Sequence, residues 1–210
     1  MNILVIAPHP DDEVIGCGGT ICLHADRGDR VVAVFLTSGE LGLKQVSRET
    51  AWAIREREAK AAGRILGLAD TVFLRLPDWS VGEHVSAGAP LLKAILKRER
   101  PELVFLPHPK EWHPDHRAAW PLLQRALRGA KPPAFPVLRT YEVWTPFAVC
   151  EEVQDISRVM PRKLSALRAH RSQLAEFDYL AAVKGLNQFR GALSGRCRYA
   201  EVFVDLETGP

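Results

Sequence analysis

MNILVIAPHPDDE, residues 1–13, opens on an apolar run that stops at Pro8 and gives way to His9, Asp11 and Asp12. The run, residues 2–7, is aliphatic and β-branched with no polar alternate face, the pattern of a strand buried on both sides. Residues 31–36, 71–74 and 103–106 read the same way. Helical periodicity fills the gaps over residues 14–27, 49–66 and 87–100. The second of these carries Ile54, Ala61, Ile65 and Leu66 and meets a natural stop at Gly67. Strand–helix alternation implies a parallel sheet with right-handed crossovers. The expected fold is therefore α/β: a single-domain, Rossmann-like sandwich over residues 1–210, with a mostly parallel sheet flanked by helices.

The second half is less regular. Residues 115–128 and 160–169 read as helices, residues 131–136 as a proline-rich turn and residues 140–144 as a strand. Residues 199–204 (YAEVFV) are expected to close the chain as an edge strand.

Composition narrows the function. The chain has 47% hydrophobic and 25% charged residues, ordinary for a globular protein, and a formal charge of only +3. Basic clusters such as Lys97-Arg98-Glu99-Arg100 are interrupted by acids, so no nucleic-acid stripe is expected. No apolar run approaches the ~18 residues of a membrane span. A cleaved leader would remove the His9–Asp12 segment, so a cytoplasmic location is expected. Cys17, Cys22, Cys150 and Cys197 form no closely spaced pair and read as small apolar residues rather than disulfides or soft-metal ligands.

Two segments carry chemistry: Pro8-His9-Pro10-Asp11-Asp12-Glu13 and Pro107-His108-Pro109-Lys110-Glu111-Trp112-His113-Pro114-Asp115-His116. Each directly follows a predicted strand. In a doubly wound sheet, ligands bind beyond the carboxyl ends of the strands, where strand order reverses. With the order 3-2-1-4, the first and fourth strands are neighbours and the two segments face each other. Two imidazoles and a carboxylate make a ligand set suited to zinc, with a position left for water. A second carboxylate can serve as general base and a further histidine as oxyanion stabiliser or acid. His9, Asp11, Asp12, His113, Asp115 and His116 can fill all these roles between them; His108 suits a pocket-lining place better than ligation.

At these residues the sequence resembles the LmbE/PIG-L superfamily of zinc-dependent N-acetylglucosaminyl deacetylases. The resemblance extends over Gly18-Gly19-Thr20, Thr37-Ser38-Gly39-Glu40, Arg55-Glu56-Arg57-Glu58, Ile65-Leu66-Gly67, Leu76-Pro77-Asp78, His170-Arg171-Ser172-Gln173 and Tyr199-Ala200-Glu201. It implies zinc held by His9, Asp12 and His116, with Asp11 as general base. His113 would stabilise the oxyanion and Asp115 would orient His113. Arg55 and Asp78 match positions that grip sugar hydroxyls, against local readings as a helix pair with Glu58 and a turn residue after Pro77. Some members carry a tyrosine where this chain has Glu111. The stretch Leu186-Asn187-Gln188-Phe189-Arg190-Gly191 resembles the branch that deacetylates the N-acetylglucosaminyl malate precursor of bacillithiol. The implied partner is a small acetylated amino sugar, and family members often assemble as homo-oligomers. Trp79 and Trp112 fall near the expected rim. Two readings compete: a two-His-one-carboxylate iron(II) enzyme, and a sugar-binding module without turnover. Iron(II) also stays open as the deacetylase metal.

Overall fold

The computed structural model describes residues 1–129 and 136–206. Strand β1 (Asn2–Ala7) pairs in parallel with β2 (Arg30–Phe35) on one side and β4 (Leu103–Pro107) on the other. Strand β3 (Asp70–Phe73) extends the sheet beyond β2, and β5 (Val137–Tyr141) extends it beyond β4, both in parallel register. Two antiparallel strands, β7 (Ala200–Asp205) and β6 (Glu152–Asp155), complete the order β3-β2-β1-β4-β5-β7-β6.

The residues of β1 show why the sheet is covered twice. Ile3 and Val5 point into one apolar cluster, while Leu4 and Ile6 point into the other. Helices α1 (Asp12–Asp26), α2 (Arg48–Leu66), α5 (Met160–Leu167) and α7 (Tyr179–Ser194) cover the first face. Helices α3 (Val85–Glu99) and α4 (Pro114–Leu127) cover the second. The short α6 (Arg171–Leu174) links α5 to α7. Among the described residues no helix is long and apolar enough to cross a membrane.

The predicted turn at residues 131–136 lies, up to residue 135, outside the described residues. The fifth strand begins three residues earlier than residues 140–144 suggest, because its pairing with β4 starts at Val137 opposite Leu103. The final strand is not an edge. Residues Glu152–Asp155 (EVQD) pair outside it, and all are exposed or half-buried. An edge strand with no apolar face leaves no periodicity to read.

Helix α2 ends at Gly67 as expected, with φ 90 and its N–H bonded to the Gly63 carbonyl. Its most buried face, however, carries Arg55 and Glu56 beside Ala51, Ala59 and Ala62. Charges on a core-facing helix stripe need partners, and these point toward the sheet's carboxyl ends.

Two of the motifs meet away from those ends. Glu201 on β7 accepts hydrogen bonds from the Gly19 and Thr20 N–H groups (2.7 Å each) and from the Thr20 hydroxyl (2.6 Å). The Lys163 ammonium, fully buried on α5, donates to Glu201 (2.6 Å) and to the Ile15 carbonyl (2.8 Å). This network bolts α1 to β7 and so fixes the helix on which Asp12 sits. Lys163→Met strands a buried carboxylate and is expected to cost about 3–5 kcal/mol, measured as a lowered urea midpoint at unchanged m-value.

Candidate active site

Beyond the carboxyl ends of β1 and β4, the two histidine–aspartate segments meet. The chain leaves β1 toward β2 on one side and leaves β4 toward β5 on the other, so this is the sheet's reversal point. His9 Nδ1, Asp12 Oδ2 and His116 Nε2 form a triangle with all three edges 3.2 Å. A tetrahedral ion with bonds of about 2.0 Å spaces its ligands about 3.3 Å apart. These three atoms therefore fit one small divalent ion, and all three side chains are buried. Further donors lie close: His113 groups with His9 and His116, and Asp78 and Asp115 group with His9, each set within 4.8 Å.

The backs of the two imidazoles are also engaged. His9 Nε2 lies 3.1 Å from Asp78 and 3.2 Å from Asp115, partners that would hold a proton on Nε2 and turn the Nδ1 lone pair to an ion at the triangle. Asp115 in turn accepts the N–H groups of Trp79 (2.7 Å) and Val81 (3.0 Å). The Asp115 carboxylate thus contacts His9, and its link to His113 runs through the backbone. The Asp115 backbone N–H donates to His113 Nδ1 at 3.2 Å, because His113 is the N-cap of α4. Neutral His113 is thereby fixed with its proton on Nε2.

His116 Nδ1 faces Glu111 at 3.6 Å. Glu111 is locked in place by the N–H groups of Val143, Trp144 and Thr145, at 2.7 to 3.2 Å from its Oε1. This chain thus sets a buried carboxylate behind an imidazole. Partners of this kind set ligand orientation and basicity. Glu111→Gln is expected to weaken metal affinity 10- to 100-fold, read by competition with a chromophoric chelator.

Asp11 adopts φ 128, a conformation that aspartate rarely takes. Its neighbours hold it there. Its N–H donates to Glu13 (3.1 Å), its carbonyl accepts from Val14 and Ile15 (2.9 Å each), and Arg55 reaches its carboxylate at 3.2 Å. Arg55 also donates to the Pro10 (2.7 Å) and Gly39 (2.9 Å) carbonyls, so the helix pair with Glu58 does not form. Gly39, at φ 64, is required twice over, since a Cβ there would run into the guanidinium.

Burial raises the Asp11 carboxyl to about 7 against the pull of Arg55. Burial acts the same way on Asp12, but His116 and His9 outweigh it and hold that carboxylate well below its usual range. Burial also lowers His113 to about 4, helped by His9 and His116. Burial and the neighbouring charges thus push the two adjacent carboxyls in opposite directions, Asp11 up and Asp12 down, while His113 is pushed down.

These groups open into a cavity of about 440 Å³, within the range of small-molecule sites. His9, Asp11, Asp12, Arg55, Asp78 and His113 all line it. Asp78 is held by the Leu41 N–H (2.9 Å) and the Trp79 N–H (3.0 Å). His108 does not join the triangle; its Nε2 contacts the Thr145 carbonyl at 2.8 Å. Trp144, Gln173, Phe177 and Tyr179 line the cavity too. Only Gln173 carried a sequence signal, through its place in His170-Arg171-Ser172-Gln173.

Fold and site together define a hydrolase of the de-N-acetylase class. Residues 4–127 match the family described as PIG-L, GlcNAc-PI de-N-acetylase, and the chain belongs to it. It is 34% identical over 183 residues to a probable N-acetyl-alpha-D-glucosaminyl L-malate deacetylase 2 of Bacillus cereus, covering 82% of this chain and 83% of that one. It is 32% identical over 225 residues to diacetylchitobiose deacetylase of Thermococcus kodakarensis, covering 95% and 81%. The solved N,N'-diacetylchitobiose deacetylase of Pyrococcus horikoshii superposes with a TM-score of 0.83 at 30% identity, covering 97% and 83%.

Proposed function

We propose that this chain removes the acetyl group from an N-acetylglucosaminyl conjugate, using a zinc ion held by His9 Nδ1, Asp12 Oδ2 and His116 Nε2. The observation that carries the reading is the 3.2 Å triangle with Asp11 and a neutral His113 in the same cavity. An ion at that triangle would acidify a water and polarise the acetamido carbonyl.

The chain's own groups do the rest. Asp11 takes a proton from the water whose oxygen attacks the carbonyl carbon, and Arg55 keeps its carboxylate aimed. His113, protonated on Nε2, donates to the carbonyl oxygen as negative charge develops there. The carbon–nitrogen bond then breaks, the nitrogen collects the proton held by Asp11, and acetate leaves a free amine. Asp78 has one acceptor position left after its bonds to His9, Leu41 and Trp79, and Arg55 lines the same cavity. Both suit sugar hydroxyls. In this reading the enzyme is cytoplasmic and its substrate soluble.

The test is acetate release by the purified protein from a panel of N-acetylglucosaminides. Dipicolinate should abolish release and zinc should restore it. A protein that binds the metal yet frees no acetate from any acetylated sugar is not this enzyme. Elemental analysis after anaerobic purification decides between zinc and iron(II).

A further inference from the structure

Two aromatic clusters line the cavity as separate walls. Trp79, Trp112 and His113 form one, with Trp79 4.4 Å from His113 and 6.4 Å from Trp112 between ring centroids. Trp144, Phe177 and Tyr179 form the other, with centroids 5.5–6.3 Å apart. Four of these rings are 43–62% exposed, although rings of this size normally pack away from water. Exposed apolar surface gathered around one cavity marks a binding place rather than scattered surface residues.

Backbone conformation makes the same point independently. Trp79 sits at φ 66, in the left-handed region that a bulky residue avoids, and the Asp115 and Asp78 carboxylates hold its N–H there. Strain kept at a solvent-facing indole beside a reactive centre is characteristic of positions set by function. Charge supplies a third constraint. Among the described residues lining the cavity, Arg55 is the only Arg or Lys. Both its Nη atoms are already committed to Gly39, Pro10 and Asp11. The acids Asp11, Asp12 and Asp78 share the lining.

Resting on the deacetylase reading, we propose that the two aromatic walls receive the group attached to the acetylated sugar, and that this group is an uncharged ring. The shared chemistry is a flat face of C–H or aryl carbon laid against indole, available from a second pyranose or from an aryl aglycone. A dicarboxylate aglycone, as in the malate conjugate for which the Bacillus cereus relative is named, would find no Arg or Lys side chain on either wall to pair with its charges. Similarity to that relative over the body of the chain therefore does not carry its aglycone to this site.

The experiment compares kcat/KM for acetate release by the zinc-loaded enzyme on four substrates: N-acetylglucosamine, N,N'-diacetylchitobiose, phenyl N-acetylglucosaminide and N-acetylglucosaminyl L-malate. At least one ring-bearing substrate is expected to exceed the malate conjugate tenfold or more, chiefly through KM, and the pair of ring substrates tells sugar from aryl. Trp112→Ala and Trp144→Ala are expected to cut that advantage at least fivefold relative to N-acetylglucosamine. Preference for the malate conjugate overturns the proposal, as does an equal loss on all four substrates in the variants. If none of the four yields acetate, the deacetylase reading itself fails. The walls are then judged by tryptophan fluorescence of the zinc-loaded protein titrated with diacetylchitobiose and phenyl N-acetylglucosaminide. A saturable shift abolished by Trp112→Ala upholds the ring site, and its absence overturns it.

Discussion

Asp11→Asn should lower kcat for acetate release by about 10²- to 10⁴-fold, the usual contribution of a positioned general base, while leaving the protein folded and metal-loaded. The substitution removes basicity and little else. Asparagine keeps nearly the same shape, and Arg55 retains its bonds to the Pro10 and Gly39 carbonyls. The triangle of His9, Asp12 and His116 does not include the altered side chain. Turnover and metal content must therefore separate: a stoichiometric ion by elemental analysis, with KM near that of the parent. A variant that keeps more than a tenth of parental kcat assigns the proton transfer to another group.

The second large effect is expected at His113. Removing one preorganised oxyanion donor costs about 10²–10³ in kcat. His113→Ala also deletes the N-cap of α4, which by itself costs about 1 kcal/mol of stability. His113→Asn separates the two contributions. Asparagine can still accept the Asp115 N–H and cap the helix, but it cannot place a donor where imidazole Nε2 lies. Both variants should lose kcat and kcat/KM in parallel, since the interaction is made in the transition state. Only the alanine should melt measurably earlier. Recovery of turnover in His113→Asn would mean that His113 acts through the helix and not on the substrate.

The legible part of this molecule is the part governed by short-range pattern. Strands β1, β2 and β4 announce themselves because both faces are buried, so apolar character is continuous along them, whereas β3 is a half-buried edge strand read from its short Val72–Phe73 apolar run. His9, Asp12 and His116 could be expected to converge because each follows a strand at the reversal of a doubly wound sheet. What stayed hidden depends on partners distant in sequence. β6 has no apolar face, and its presence turns β7 from an edge into an interior strand. The Asp115 carboxylate looks like a neighbour of His113 in sequence, yet α4 geometry turns it toward His9 and the loop after β3. Trp144, Phe177 and Tyr179 reach the cavity only because β5 and the start of α7 end beside it, which no local motif records. Glu111 was visible as part of the second histidine–aspartate segment, but its place behind His116 depends on three N–H groups from the segment after β5.

The pairing of β1 with β4 has a thermodynamic consequence. His9 and His116 lie 107 positions apart along the chain, so an unfolded polypeptide presents no assembled chelate, and an ion held as proposed would bind almost only to the native state. Each tenfold excess of free metal over its dissociation constant then adds about 1.4 kcal/mol to the unfolding free energy. The site that performs the reaction would also act as a reversible crosslink between the two halves of the sheet. Metal starvation would therefore reduce the amount of folded protein as well as its activity.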